Sequence, residues 1–146
     1  MEIETHNLEE THQVAEDFLS KLKNNLDRST IVFLSGDLGA GKTAFTQGLA
    51  KTLGVTEEVT SPTFVIQKIY HLPVGQKFNK MIHIDCYRLE NDRDWEVLNM
   101  DNILTDPTNL VVVEWPEKID QLSTLEAVKI EFKFIDENTR IIKILP

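Results

Sequence analysis

The sequence predicts an α/β fold: a single domain with a mixed β-sheet flanked by helices and finished by a C-terminal β-hairpin. Three observations predict it. Apolar residues recur at helical spacing near the start of the chain. Short β-branched runs, IVFL at 31–34 and LVVV at 110–113, read as buried central strands. The tail, VKIEFKFIDENTRIIKIL, alternates on both sides of a DEN turn. At 146 residues the chain can bury a sizeable core in one domain.

Each element follows from its own residues. Asn7 caps a helix, with Glu10 three residues on, and Leu8, Val14, Ala15, Phe18, Leu19, Leu22 and Leu26 keep the helical period, so a first helix is expected over about residues 8–26. Ile31 to Leu34 is the first buried strand. Lys42 to Leu53 carries Phe45, Leu49 and Leu53 at four-residue spacing and is closed by Gly54, which reads as a helix with a glycine stop. FVIQKIYHL at 64–72 alternates, PVGQ turns, and MIHID at 81–85 is the next strand. A short helical stretch is expected from Asp94 to Leu104, with Trp95, Leu98 and Leu104 apolar. LVVVEW at 110–115 is a further buried strand, stopped by Pro116. There is no repeat, low-complexity segment or linker.

Composition narrows the function. Hydrophobic residues make up 41%, yet no apolar run approaches a membrane helix of roughly 18 residues. The acidic, polar start MEIETHNLEE reads as neither a signal nor a transit peptide, so a cytoplasmic protein is expected, with no membrane partner. Net charge is −9, and the only arginines are Arg28, Arg88, Arg93 and Arg140, which makes direct binding of RNA or DNA a poor reading. The acidity fits plain solubility first and a basic protein partner second. The single cysteine, Cys86, allows no intrachain disulfide and suits a reducing compartment.

The chemistry concentrates in GDLGAGKT at 36–43, where Gly36, Gly41, Lys42 and Thr43 satisfy G-x-x-x-x-G-K-[ST]. About 0.002 chance matches are expected from this composition, and the expected strand before it and helix after it are the context the motif requires. Gly36, Gly39 and Gly41 let the backbone turn and present N–H groups to phosphate oxygens, and the helix start adds its positive end. Lys42 reaches the β- and γ-phosphates, and Thr43 offers its hydroxyl to Mg²⁺. Asp37 is expected to be solvated and to face away from the phosphates. Two acids end buried strands, Asp85 after MIHI and Glu114 after LVVV. If both strands run parallel to 31–34, both acids lie close to Thr43 as metal or water-orienting candidates, against the alternative of acids that cap strand ends.

Around this centre, TSPTF at 60–64 sits where nucleotide switch segments occur, with Thr63 a candidate contact for Mg²⁺ or the γ-phosphate and an ordinary strand lead-in as the alternative. Trp115 reads first as core, second as a residue near the nucleotide or an interface. His83 reads as a packed strand histidine rather than a ligand, and Cys86 as inert.

In this order, GDLGAGKT, SPTF, HIDCYRL and VVVEWPEKI resemble the TsaE (YjeE) family, small bacterial P-loop ATPases that act with TsaD and TsaB in threonylcarbamoyladenosine modification of tRNA. LEETHQVAEDF and the final hairpin fit the same pattern, so the resemblance covers nearly the whole chain. It implies that Asp37, Leu38, Gly39, Ala40, Gly41, Lys42, Thr43 and Ala44 bind ATP or ADP. It implies Mg²⁺ on Thr43, Asp85 and Glu114, with direct contact left open between the two acids, and catalysis through Lys42, Asp85, Glu114 and Thr63. Trp115 joins Glu114 in the EWP motif beside the nucleotide. Ser61, Pro62, Thr63 and Phe64 form the switch-like loop, and Thr11 lies near the adenine. The resemblance further implies weak hydrolysis alone, activation by docking on TsaB–TsaD, a resetting role between turnovers, and contact with tRNA only through those partners. His83 interrupts the apolar run before Asp85, and DRDWEVLNM is less glycine-rich than expected.

Other readings are weaker. A GTPase usually carries N-K-x-D, and the only NK, Asn79-Lys80, continues into Met81 and Ile82. A small-molecule kinase of this class clamps phosphates with lid arginines, of which only Arg88 is a lone candidate, and an ABC-type signature is missing. A nucleotide-sensing module without turnover stays open, and mutation of Glu114 separates it from an ATPase.

Overall fold

The structure, a computed structural model, describes residues 1–37, 39–60, 66–89 and 93–146, with Arg93 described by its backbone alone. Seven strands form one mixed sheet: β1 Glu2–Thr5, β2 Thr30–Gly36, β3 Gln67–His71, β4 Lys80–Asp85, β5 Asn109–Glu114, β6 Val128–Phe134 and β7 Arg140–Ile144, in the spatial order β1-β7-β6-β2-β5-β4-β3. The four central strands, β6, β2, β5 and β4, are mutually parallel, and β7, β1 and β3 add antiparallel pairings at the edges. Helices α1 Leu8–Lys21 and α2 Lys42–Thr52 cover one face. Helices α3 Arg93–Val97 and α4 Met100–Thr105, with two 3₁₀ turns at Pro116–Lys118 and Asp120–Thr124, cover the other.

Alternation sorts the side chains. Val32, Leu34, Leu110 and Val112 point toward α1 and α2, while Ile31, Phe33, Val111 and Val113 point toward α4 and the second 3₁₀ turn. A strand buried on both faces has no polar alternation, which is why IVFL and LVVV read as continuous apolar runs. Helices α1 and α2 approach closely at Gly48, where an added Cβ would lie 2.8 Å from Ala15 Cβ and 2.9 Å from His12 Cα.

The C-terminal hairpin is present as expected, but β6 also pairs in parallel with β2, which makes it a central strand on one side. Four differences from the sequence reading have physical causes. Helix α1 stops at Lys21 rather than about residue 26, because the Lys77 ammonium donates to the carbonyls of Leu19 at 3.1 Å and Leu22 at 2.6 Å and ends the helix there. Residues 94–104 form two helices, broken at Asn99, which adopts φ +57°. Glu2–Thr5 forms a strand because β7 offers it an open edge. Trp115 leaves the strand and takes a left-handed backbone, φ +57°, before the 3₁₀ turn. The strand expected at 64–72 is seen from Gln67, its first residues lying outside the described ones.

Candidate functional site

The glycine loop begins where β2 ends. Gly36 has φ +146°, and a Cβ there would lie 2.4 Å from the Phe132 carbonyl oxygen of β6, so only glycine fits. Gly41 occupies the N-cap of α2 at φ +109° with no side chain capping the helix, and the first turn contains no acid. The N–H groups that open α2 therefore remain available to an external anion.

Strand register brings the acids to this point. Asp85 and Glu114 are direct partners at the C-terminal ends of parallel β4 and β5, and Glu114 is opposite Leu34 of β2. Both are 3% exposed, and both sit on the sheet face that α2 covers, so the parallel arrangement on which their candidacy depended is present. Lys42 is buried. Its ammonium donates to the Gly36 carbonyl and, at 3.4 Å, to the Asp37 carbonyl, and lies 4.2 Å from the centroid of the Trp115 ring. Burial lowers its pKa, opposed by the carboxylates of Glu114, Asp85, Glu117 and Asp37. Trp115 N–H donates to the Leu34 carbonyl at 3.3 Å, and its ring meets Tyr87 at 5.1 Å between centroids. Asp85 Oδ1 accepts from the Tyr87 N–H at 2.9 Å.

A pocket of about 610 Å³ opens over these groups, a size within the range of small-molecule sites. It is lined by Gly39, Gly41, Lys42, Thr43, Ala44, Asp85, Glu114 and Trp115, together with residues that include Thr5, Asn7, Thr11, Asn138 and Arg140. Thr11 is buried, its hydroxyl donating to Thr5 Oγ1 at 3.2 Å. The structure thus gathers most of the expected residues on one cavity. Asp37 is exposed and outside the pocket wall, as its solvated reading required, and Ala40 packs its methyl group into the core. Leu38 and the switch segment Ser61, Pro62, Thr63 and Phe64 lie outside the described residues.

Two residues of the site were not assigned from the sequence. Arg140, at the start of β7, donates from Nε to the Gly39 carbonyl at 3.0 Å and so ties the hairpin to the loop. His83, on β4, places Nε2 2.6 Å from Glu114 Oε2 with both groups buried. It is packed, as read, but it also touches a candidate catalytic acid. Among the described residues no three or more His, Cys, Asp or Glu side chains cluster as a metal site. The donors present, one hydroxyl and two carboxylates, are hard oxygens of the kind that share Mg²⁺ with water and phosphate. No helix among the described residues is long and apolar enough to cross a membrane.

A parallel-centred mixed sheet with a glycine loop leading from its central strand into an uncapped helix defines a P-loop NTPase-like protein. The family described as "Threonylcarbamoyl adenosine biosynthesis protein TsaE" matches residues 5–142, and the chain belongs to this TsaE family. Among its relatives, the tRNA threonylcarbamoyladenosine biosynthesis protein TsaE of Streptomyces coelicolor is 44% identical over 105 residues, 70% of this chain and 68% of the relative. The protein of the same name from Rickettsia prowazekii is 36% identical over 128 residues, 87% and 85% of the two chains. The crystal structure of Bacillus subtilis YdiB is similar with a TM-score of 0.75 at 29% identity, covering 99% of this chain and 83% of that one.

Proposed function

We infer that this chain is a single P-loop ATPase domain that binds and hydrolyses ATP in the threonylcarbamoyl modification of tRNA adenosine (t6A37), in the cytoplasm, as a subunit that docks on TsaB and TsaD. Family membership supports the pathway. The observation that carries the chemistry is the convergence of Lys42, Thr43, Asp85 and Glu114 on one pocket at the C-terminal ends of parallel strands.

The division of labour follows from position. The N–H groups at the uncapped start of α2 bind phosphate oxygens, and Lys42 neutralises their charge from a buried site where charge is weakly screened. Mg²⁺, which would be held by Thr43 with Asp85 or Glu114, supplies charge neutralisation at the phosphoryl oxygens. Glu114 orients the attacking water. Trp115 shields the lysine from solvent. Thr11 and Thr5 line the same pocket and are assigned to the adenine side. Docking on TsaB–TsaD raises a low intrinsic turnover and resets that complex, and tRNA is met only through it.

Phosphate release from MgATP by the chain alone and with TsaB–TsaD, beside Lys42→Ala and Glu114→Gln, tests this. Low release alone and a Lys42-dependent rise with partners is the expected result. Nucleotide binding without turnover in either condition would replace the ATPase with a nucleotide-sensing module, and high release indifferent to partners would overturn the role in the modification complex.

A further inference from the structure

His83 sits two residues before Asp85 on the same face of β4 and opposite Val112 of β5, so its ring reaches diagonally to Glu114. The contact is short, 2.6 Å from Nε2 to Oε2, and the His83 side chain is 0% exposed. It is the one hydrogen bond to the Glu114 carboxylate among the described residues. Nδ1, equally buried, has no partner there.

A carboxylate only accepts, so Nε2 carries the proton. Nδ1 is then the ring nitrogen left without a partner. The Nε2–H tautomer is therefore the form that fits. It fixes Oε2 and leaves Oε1, for which no partner is found among the described residues, on the side of the pocket that Glu114 lines. The anchor also bears on Lys42. Glu114 is the strongest attracting charge on that ammonium, yet no ion pair joins them, and Lys42 is held instead by two loop carbonyls and the Trp115 ring.

We propose that His83 is a positioning residue that holds the Glu114 carboxylate with one oxygen bound and the other turned to the pocket. The proposal rests on the reading of Glu114 as the residue that orients water. Removing the anchor lets the carboxylate rotate without disturbing the groups that bind phosphate, so turnover falls while nucleotide affinity holds.

The test compares His83→Leu, His83→Gln, Glu114→Gln and the His83→Leu/Glu114→Gln double variant, under whichever condition the wild type hydrolyses MgATP. Affinity for a non-hydrolysable ATP analogue and the melting temperature are measured alongside. His83→Leu is expected to lower kcat about 10- to 100-fold, the usual effect of losing an orienting partner. Analogue affinity should stay within about twofold of the wild type. His83→Gln, whose amide restores a donor near the Nε2 position, recovers most of the rate, and the double variant is no slower than Glu114→Gln alone. Wild-type kcat in His83→Leu, or a folded His83→Gln as slow as His83→Leu, overturns the proposal. Wild-type turnover in Glu114→Gln instead overturns the role given to Glu114, which separates that failure from this one. A measurement on the nucleotide-free wild type needs no variant to turn over: the long-range ¹H–¹⁵N spectrum, with His83 assigned by its loss in His83→Gln, shows a protonated Nε2. An Nδ1–H tautomer overturns the proposal.

Discussion

The ring of Trp115 covers the ammonium of Lys42 at 4.2 Å, and it does so from a left-handed backbone position, φ +57°. An ammonium over an indole gains about 0.5–2 kcal/mol, an amount that phosphate oxygens can outcompete. The indole should therefore report on what Lys42 holds. Trp95 and Trp115 are the only tryptophans. In a Trp95→Phe variant, saturating MgATP is expected to change the emission of Trp115, and Lys42→Ala should abolish most of the change. Emission that ignores nucleotide would mean that the ring and the lysine keep their contact throughout.

Gly48 is a packing requirement. Alanine ordinarily helps a helix interior by about 1 kcal/mol over glycine. Here the new Cβ would press on Ala15 Cβ at 2.8 Å and on His12 backbone at 2.9 Å. Gly48→Ala is expected to lose about 1–3 kcal/mol net in urea unfolding, because α1 must move away from α2. A variant as stable as the wild type would show that the two helices have room to part.

Cys86 is buried, and burial pushes its thiol up to about 12, with Asp85 and Glu117 adding to the rise. Iodoacetamide at pH 8 should leave the native chain unmodified and alkylate it in urea. The raised value also sets a direction for stability. The contribution is complete below the ordinary value of 9.0 and is lost as pH climbs toward 12. Rapid native alkylation at pH 8 would contradict this environment.

His6 stands at the pocket rim, its pKa raised by the hydrogen bond with Glu10, against slight burial, and by the charges of Glu10 and Glu4. A histidine raised in the folded state stabilises fully below its ordinary 6.5 and loses that contribution as pH rises through the folded value. Wild type should melt above His6→Asn at pH 5.5, and the two should converge by about pH 8. A gap that stays constant across that range would assign the effect to packing instead.

What the sequence discloses is local. The strand, loop and second helix are legible because each residue type acts on its neighbours, and Asp85 and Glu114 are legible because an acid ends an apolar run. Features set by distant chain are not. Leu26 continues the helical period of α1 and so extends the expected helix, yet it is 95% exposed, and Lys77 ends the helix before it. The residues of β1 show almost no buried face and become a strand only because β7 has an edge to offer. The His83–Glu114 contact spans 31 positions and depends on register alone, so nothing in the sequence around His83 announces it.

Arg140 holds the Gly39 carbonyl from 101 residues away, and β6 is the strand that closes the far side of β2. During synthesis, the glycine loop and its helix leave the ribosome long before either arrives. Until residues 128–140 follow, the central strand keeps an open edge, the state in which nascent sheets are most prone to mispair and most in need of a chaperone. The glycine loop of the candidate site is therefore made early and finished late.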